Sequence, residues 1–123
     1  MNQGFAGYKS AAAITQFRIV KLFSTDTVTV AAAATDTLLS VNKTNITAAG
    51  QHVDIADIGE IVWCEAGAAV GIGARITSDA SGRGVTAAPA AGTNNGIVGI
   101  AMSVANAAGE YFRLVVTPQT FQG

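Results

Sequence analysis

The residues from Gly73 to Pro118 constrain the fold more than the rest of the chain. They read GARITSDASGRGVTAAPAAGTNNGIVGIAMSVANAAGEYFRLVVTP. Apolar and polar residues alternate over 98–104 and again over 111–116, the period of a strand with one buried face. Val98, Ile100, Met102 and Val104 share one face, with Gly99, Ala101 and Ser103 on the other. Phe112, Leu114 and Val116 oppose Tyr111, Arg113 and Val115. The larger sets are expected to fill the core, leaving Ala101, Ser103, Tyr111 and Arg113 to meet neighbours. Ala107-Ala108-Gly109 joins the two strands. Upstream, the Asp-Ala-Ser-Gly-Arg run at 79–83 ends an earlier strand. Asp79 is placed to cap that turn, and Gly82 or Gly84 to take a positive φ. Such a stretch builds β-structure and presents surfaces; almost nothing in it carries chemistry.

The same signals recur along the chain. Strand patterns lie at Phe17–Phe23, Thr27–Val30, His52–Ile55, Ile61–Cys64 and Val70–Thr77. Turn signals follow at Gly50, Gly59, Gly67 and Asn94-Asn95-Gly96. Many short strands with frequent turns define an all-β class, a small β-sandwich or barrel-like domain. Residues 30–41 read two ways. Ala31 to Ala34 favour a helix start, while Thr35 or Asp36 equally caps a short turn. Residues 1–14, MNQGFAGYKSAAAI, carry two isolated aromatics, Phe5 and Tyr8, in a small-residue context. They are expected to form a flexible N-terminal arm that docks on a partner, ahead of a single β-domain over 15–123. The alternative is an N-terminal strand paired within its own domain.

Composition sharpens this picture. At 123 residues, one domain is expected. Alanine supplies 24 residues and glycine 14. A buried Ala methyl contributes about 1 kcal/mol, against roughly 1.5–3 for a larger apolar side chain. The core should therefore be thin, and self-association would stabilise it. Charged residues make up 12% and mean hydropathy is +0.39, which also favours covering part of the surface with other subunits. Lys9, Arg18 and Lys21 make the first 25 residues basic, while the remainder is acidic. With a pI near 5.6 and no cluster of bases, nucleic acid is not an expected partner. The basic beginning instead suits an acidic protein surface. No secretory signal or membrane-spanning helix is expected; the uncharged run 84–109 is broken by Pro89, glycines and three Asn. The sequons at Asn42 and Asn45 are read as accidental in that context.

Candidate chemistry is sparse. His52 with Asp54 and Asp57 lacks the ligands zinc requires, so His52 is read as a strand-surface histidine. Cys64 beside Trp63 is read as a buried thiol in an apolar strand, without the base that would make it a nucleophile. Gly71-Ile72-Gly73 lacks the third glycine and the helix of a dinucleotide loop. Ser81 lacks the spacing of a nucleophile elbow. Asp57 and Glu60 lack a groove in which paired carboxylates would work on a sugar. No catalytic, cofactor or metal residue is assigned, and the chain is not expected to be an enzyme.

One resemblance is carried by particular residues. A strand leads into Thr77-Ser78-Asp79-Ala80-Ser81-Gly82-Arg83 and an Ala-rich loop. Thr93-Asn94-Asn95-Gly96-Ile97-Val98-Gly99-Ile100-Ala101 and Ala107-Ala108-Gly109-Glu110 precede the last strand. Over roughly 50–118 the chain resembles the capsid cement (decoration) proteins of tailed bacteriophages. That resemblance implies a small β-domain on the outer surface of a virion, made in the host cytoplasm. It implies binding to the lattice of major capsid protein, and a homo-oligomer with a trimer favoured. The expected capsid-contact residues are Phe5, Tyr8, Lys9, Phe17 and Arg18; the expected self-association residues are Tyr111 and Arg113. The competing expectation is a carbohydrate- or receptor-binding β-sandwich module of a fibre or adhesin. It requires exposed aromatics on a sheet face, where Trp63 and Tyr111 are the candidates but lie in strands that read as buried.

Overall fold

A computed structural model of the chain describes residues 8–122. Phe5 therefore lies outside the described residues. These residues form ten strands and no helix. The strands are β1 (Tyr8–Ser10), β2 (Ile19–Ser24), β3 (Thr27–Val30), β4 (Leu38–Val41) and β5 (His52–Val53), then β6 (Ile61–Glu65), β7 (Arg75–Ser78), β8 (Gly84–Thr86), β9 (Asn94–Ala101) and β10 (Tyr111–Gln122). The first five form one sheet in the order β4-β2-β3-β1-β5, the rest a second in the order β6-β10-β9-β7-β8. The all-β expectation holds.

The main core lies where the sheets face each other. Ile19, Leu38 and Val41 of the first sheet meet Val62, Cys64, Ile76, Val98, Phe112, Leu114 and Val116 of the second. Five alanines, at 31, 56, 66, 101 and 105, fill the spaces between them, so the core is as thin as the composition implies. The first sheet is buried on its other face as well. Val20, Val28 and Val53 pack there with Ile14 and Ile46. That sheet curls until its edges are bridged, with Asn42 paired to Ile55 and the Ala56 N–H donating to the Val41 carbonyl at 3.0 Å.

Three local features differ from the sequence reading. First, residues 8–14 are part of the domain. β1 pairs in parallel with β3 and antiparallel with β5, and Ile14 is buried and bridged to Ile46. The gap between β3 and β5 leaves ladder groups to satisfy, and residues 8–10 satisfy them. The expected arm of residues 1–14 therefore does not hold for residues 8–14, and residues 1–7 lie outside the described residues. Second, Asn94-Asn95-Gly96 begins a strand instead of forming a turn. β10 runs on to Gln122 and pairs with it, with Pro118 inside the bulge between Val116 and Gln119. Proline has no N–H to donate, and a bulge is where a strand tolerates that.

Third, Val98 is in the core as expected, but the end of β9 turns its small residues inward. Ala101 lies opposite Leu114 and Gly99 opposite Val116, while Met102 and Val104 are about half exposed. Phe112, Leu114 and Val116 already fill the core at this level, which leaves room only for glycine and alanine on the neighbouring strand. A Cβ on Gly99 would collide with the Val115 carbonyl oxygen and lie 3.2 Å from Leu114 Cδ1.

The ambiguous stretch 30–41 is settled by Asp36. Its carboxylate accepts the Ala32 and Ala33 N–H groups at 2.9 and 3.1 Å and the Lys21 ammonium at 3.0 Å. With those donors engaged, residues 31–36 make a turn and lead into β4.

Candidate functional site

The outer face of the second sheet gathers large apolar side chains that the core does not account for; Leu22, Phe23, Ile58 and Ile72 are exposed elsewhere. β6 and β10 alternate strictly, with Val62, Cys64, Phe112 and Leu114 inward. The opposite positions carry Ile61 (54% exposed), Trp63 (44%) and Tyr111 (49%). Antiparallel register puts Trp63 across from Arg113, Tyr111 across from Glu65 and Ile61 across from Val115. The Arg113 guanidinium carbon lies 5.3 Å from the Trp63 ring centroid, within cation–π range. Met102 (48% exposed) continues the row, its N–H donating to the Arg113 carbonyl at 2.7 Å. The Arg113 N–H donates to Ser103 Oγ at 2.8 Å, fixing that corner.

One rim of this face is built from the loop before β2. Phe17 has a φ of 66°, a left-handed conformation that costs a side-chain-bearing residue about 1–3 kcal/mol. It is held there from both sides: its N–H donates to the Asn42 carbonyl at 3.0 Å, and its carbonyl accepts the Glu65 N–H at 3.1 Å. The ring then meets Tyr111 edge-on, with centroids 5.7 Å apart at 78°. Next to it, Arg18 pairs with Glu65 at 3.0 Å and donates to the Ser81 carbonyl at 2.9 Å.

That last contact explains the 79–83 turn. Asp79 Oδ1 accepts the Ser81 and Arg83 N–H groups at 2.8 and 2.9 Å, and Gly82 takes φ 78°. The Arg83 side chain reaches Asp79 at 3.3 Å and Glu65 at 4.0 Å. The Gly82 carbonyl accepts the Ile19 N–H at 2.7 Å. The turn therefore ties the two sheets together and positions the Phe17 rim. Ser81 contributes only its backbone.

The sequence-predicted site residues divide between two places. Phe17 and Arg18 stand at the outer face beside Tyr111 and Arg113. Tyr8 and Lys9 belong to β1, Tyr8 half-buried against the first sheet's own core and Lys9 exposed opposite His52. Trp63 and Met102 were read as buried and are half exposed, as is Ile61. Strict alternation with Val62 and Cys64 was the signal that places Trp63 outward. Cys64 is fully buried, and burial pushes its thiol up to about 12, so it is not a nucleophile at neutral pH. Among the described residues, no three His, Cys, Asp or Glu side chains come together as metal ligands, and no helix is long and apolar enough to cross a membrane.

No protein-family model matches this chain, and no curated protein matches it. Among solved structures, the fold is similar to the crystal structure of the N base of head fiber gp8.5 in bacteriophage phi29. The TM-score is 0.64 at 18% identity, over 89% of this chain and 90% of that one.

Proposed function

We propose that this chain is a structural protein of a phage virion that binds the outside of the assembled capsid and cements it as a homotrimer. The observation that carries this reading is the half-exposed aromatic face on a fold shared, over nearly the whole chain, with the base of a phage head fibre. The resemblance of the 77–118 motifs to cement proteins points the same way. The reading assigns no catalysis and no cofactor.

Binding to the assembled lattice, and not to unassembled subunits, stabilises the lattice by mass action. Repetition over many positions multiplies a modest contact. For the capsid contact we keep Phe5, Tyr8 and Lys9. Arg18 and Lys21 are neutralised by Glu65 and Asp36, whereas Lys9 has no ion pair among the described residues. Lys9 is therefore the cation of the basic beginning that remains for an acidic capsid surface.

Co-sedimentation with purified expanded capsids of the encoding phage tests this reading. The intact chain is expected to pellet with capsids at saturable occupancy and to stay in solution with unassembled capsid protein. A variant lacking residues 1–7 is expected to keep its fold and lose most of that occupancy; removing 1–14 would also delete β1 and Ile14. No pelleting of the intact chain sinks the proposal, and unchanged occupancy of the shortened variant sinks the arm contact.

A glycan- or receptor-binding module remains the second reading, favoured by Trp63 and Tyr111 standing exposed on one sheet face. Against it, Arg113 already lies over the Trp63 ring and Phe17 packs on Tyr111. A glycan array with specific hits and no capsid binding would reverse the order.

A further inference from the structure

We infer that the outer face of the second sheet, centred on Trp63 and Tyr111, is the surface on which copies of this chain join one another. This deepens the proposed virion role and rests on it only for the number of copies.

An antiparallel sheet with one face on the core ordinarily turns a polar face to water. Here Ile61, Trp63, Met102 and Tyr111 stand about half exposed on that side. Large side chains of about 150–250 Å² at half exposure contribute on the order of 100 Å² each. The four together reach roughly 400 Å², within the range of the largest patches that monomers expose. It is about half of the ~800 Å² that one partner contributes to a standard interface.

Charge selects the occupant. Glu65 on this face is neutralised from within the chain by Arg18 and Arg83. Arg113 and Glu110 have no ion pair among the described residues, and both are exposed. Glu110 is fixed at the patch edge by accepting the Asn106 N–H at 2.8 Å. Glu110 ends the turn just before β10, three residues from Arg113, so at most about 10 Å of chain separates them. A patch with an apolar centre, one unpaired cation and one unpaired anion is complementary to itself. Around a symmetry axis, Arg113 of each copy meets Glu110 of the next, while Trp63 and Tyr111 close over the centre.

Analytical ultracentrifugation of the full chain without capsids tests this, with circular dichroism and Cys64 protection reporting the fold. The intact chain is expected to sediment as three chains at about ten micromolar. Trp63→Ser is expected to sediment as a monomer with its sheet signal retained. Arg113→Glu, which sets like charges together, is expected to weaken association at least tenfold, and so is Glu110→Arg. The double variant R113E/E110R is expected to recover most of the loss. If Trp63→Ser fails to fold, the charge-exchange pair decides alone. A monomeric intact chain, unchanged association of the charge variants, or no recovery in the double variant overturns the inference. Variants that still assemble but no longer pellet with capsids overturn it too, and give the face to the capsid. An intact trimer that ignores capsids leaves this inference standing and removes only the virion reading.

Discussion

Cys64 and Gly99 show how little slack the core has. The Cys64 thiol is sealed under Phe112 and β8, and its high pKa follows first from that burial. Iodoacetamide at neutral pH should leave the native protein unmodified over hours and label it fully in denaturant; rapid native labelling would mean the second sheet opens. Gly99 lies against the β10 backbone, so Gly99→Ala must push main chain aside. Its cost should be about 1–3 kcal/mol, read as a fall in urea midpoint with unchanged slope. Both residues bear on what the sequence disclosed. Alternation located the inward face of β10 correctly. On β9 it placed Val98 in the core correctly, but beyond it Gly99 and Ala101 turn inward and Met102 outward, because the side chains that fill the shared space there come from β10. Trp63 was misplaced for a related reason: its apolar strand read as buried, while its neighbours Val62 and Cys64 already occupied the inward positions.

Among the elements, the 79–83 turn and the loop at 14–18 do the joining. Arg18→Ala removes the charged hydrogen bond to Glu65 and the link to the Ser81 carbonyl. It should cost roughly 2 kcal/mol and release Phe17 from Tyr111, detectable as lost ring-current shifts in Tyr111 resonances. The turn at Asp36 and the Lys43–Glu60 pair set the acid response. Burial pushes the Asp36 carboxyl upward, but the Ala32 N–H, Lys21 and the Ala33 N–H together hold it below its ordinary 3.8. The Asp57 N–H, then Lys43, hold Glu60 below its ordinary 4.5. Carboxyls lowered in the folded state contribute stability that is present above those ordinary values and lost as pH falls through the lower folded ones. The melting temperature should therefore drop between about pH 5 and pH 3, and less steeply in the D36N/E60Q variant; equal slopes would contradict the assignment. Lys43, raised chiefly by Glu60, adds its loss only above its ordinary 10.5. The caps at Asp36 and Asp79 were legible because Asp competes locally for backbone donors. The extension of β10 to Gln122 and the inclusion of β1 were not, since both depend on partners far away in the chain.

At the scale of the whole molecule, two sheets with an Ala-filled core leave one outer face apolar and one end of the chain basic. Composition foreshadowed an association-prone domain, but only the strand order brought Phe17, Trp63, Met102, Tyr111 and Arg113 onto one side. The proposed virion role assigns that side to other copies and the residues up to Lys9 to the capsid. If so, the protein acts by raising the stability of a shell it does not help to build. The most direct measurement is the disassembly temperature of expanded capsids of the encoding phage, taken with and without saturating protein. The temperature should rise by several degrees with the intact chain and lose most of that rise with the form lacking residues 1–7. Capsids that bind the protein but fall apart at an unchanged temperature would contradict the cementing role, and capsids that never bind it would contradict the virion role altogether.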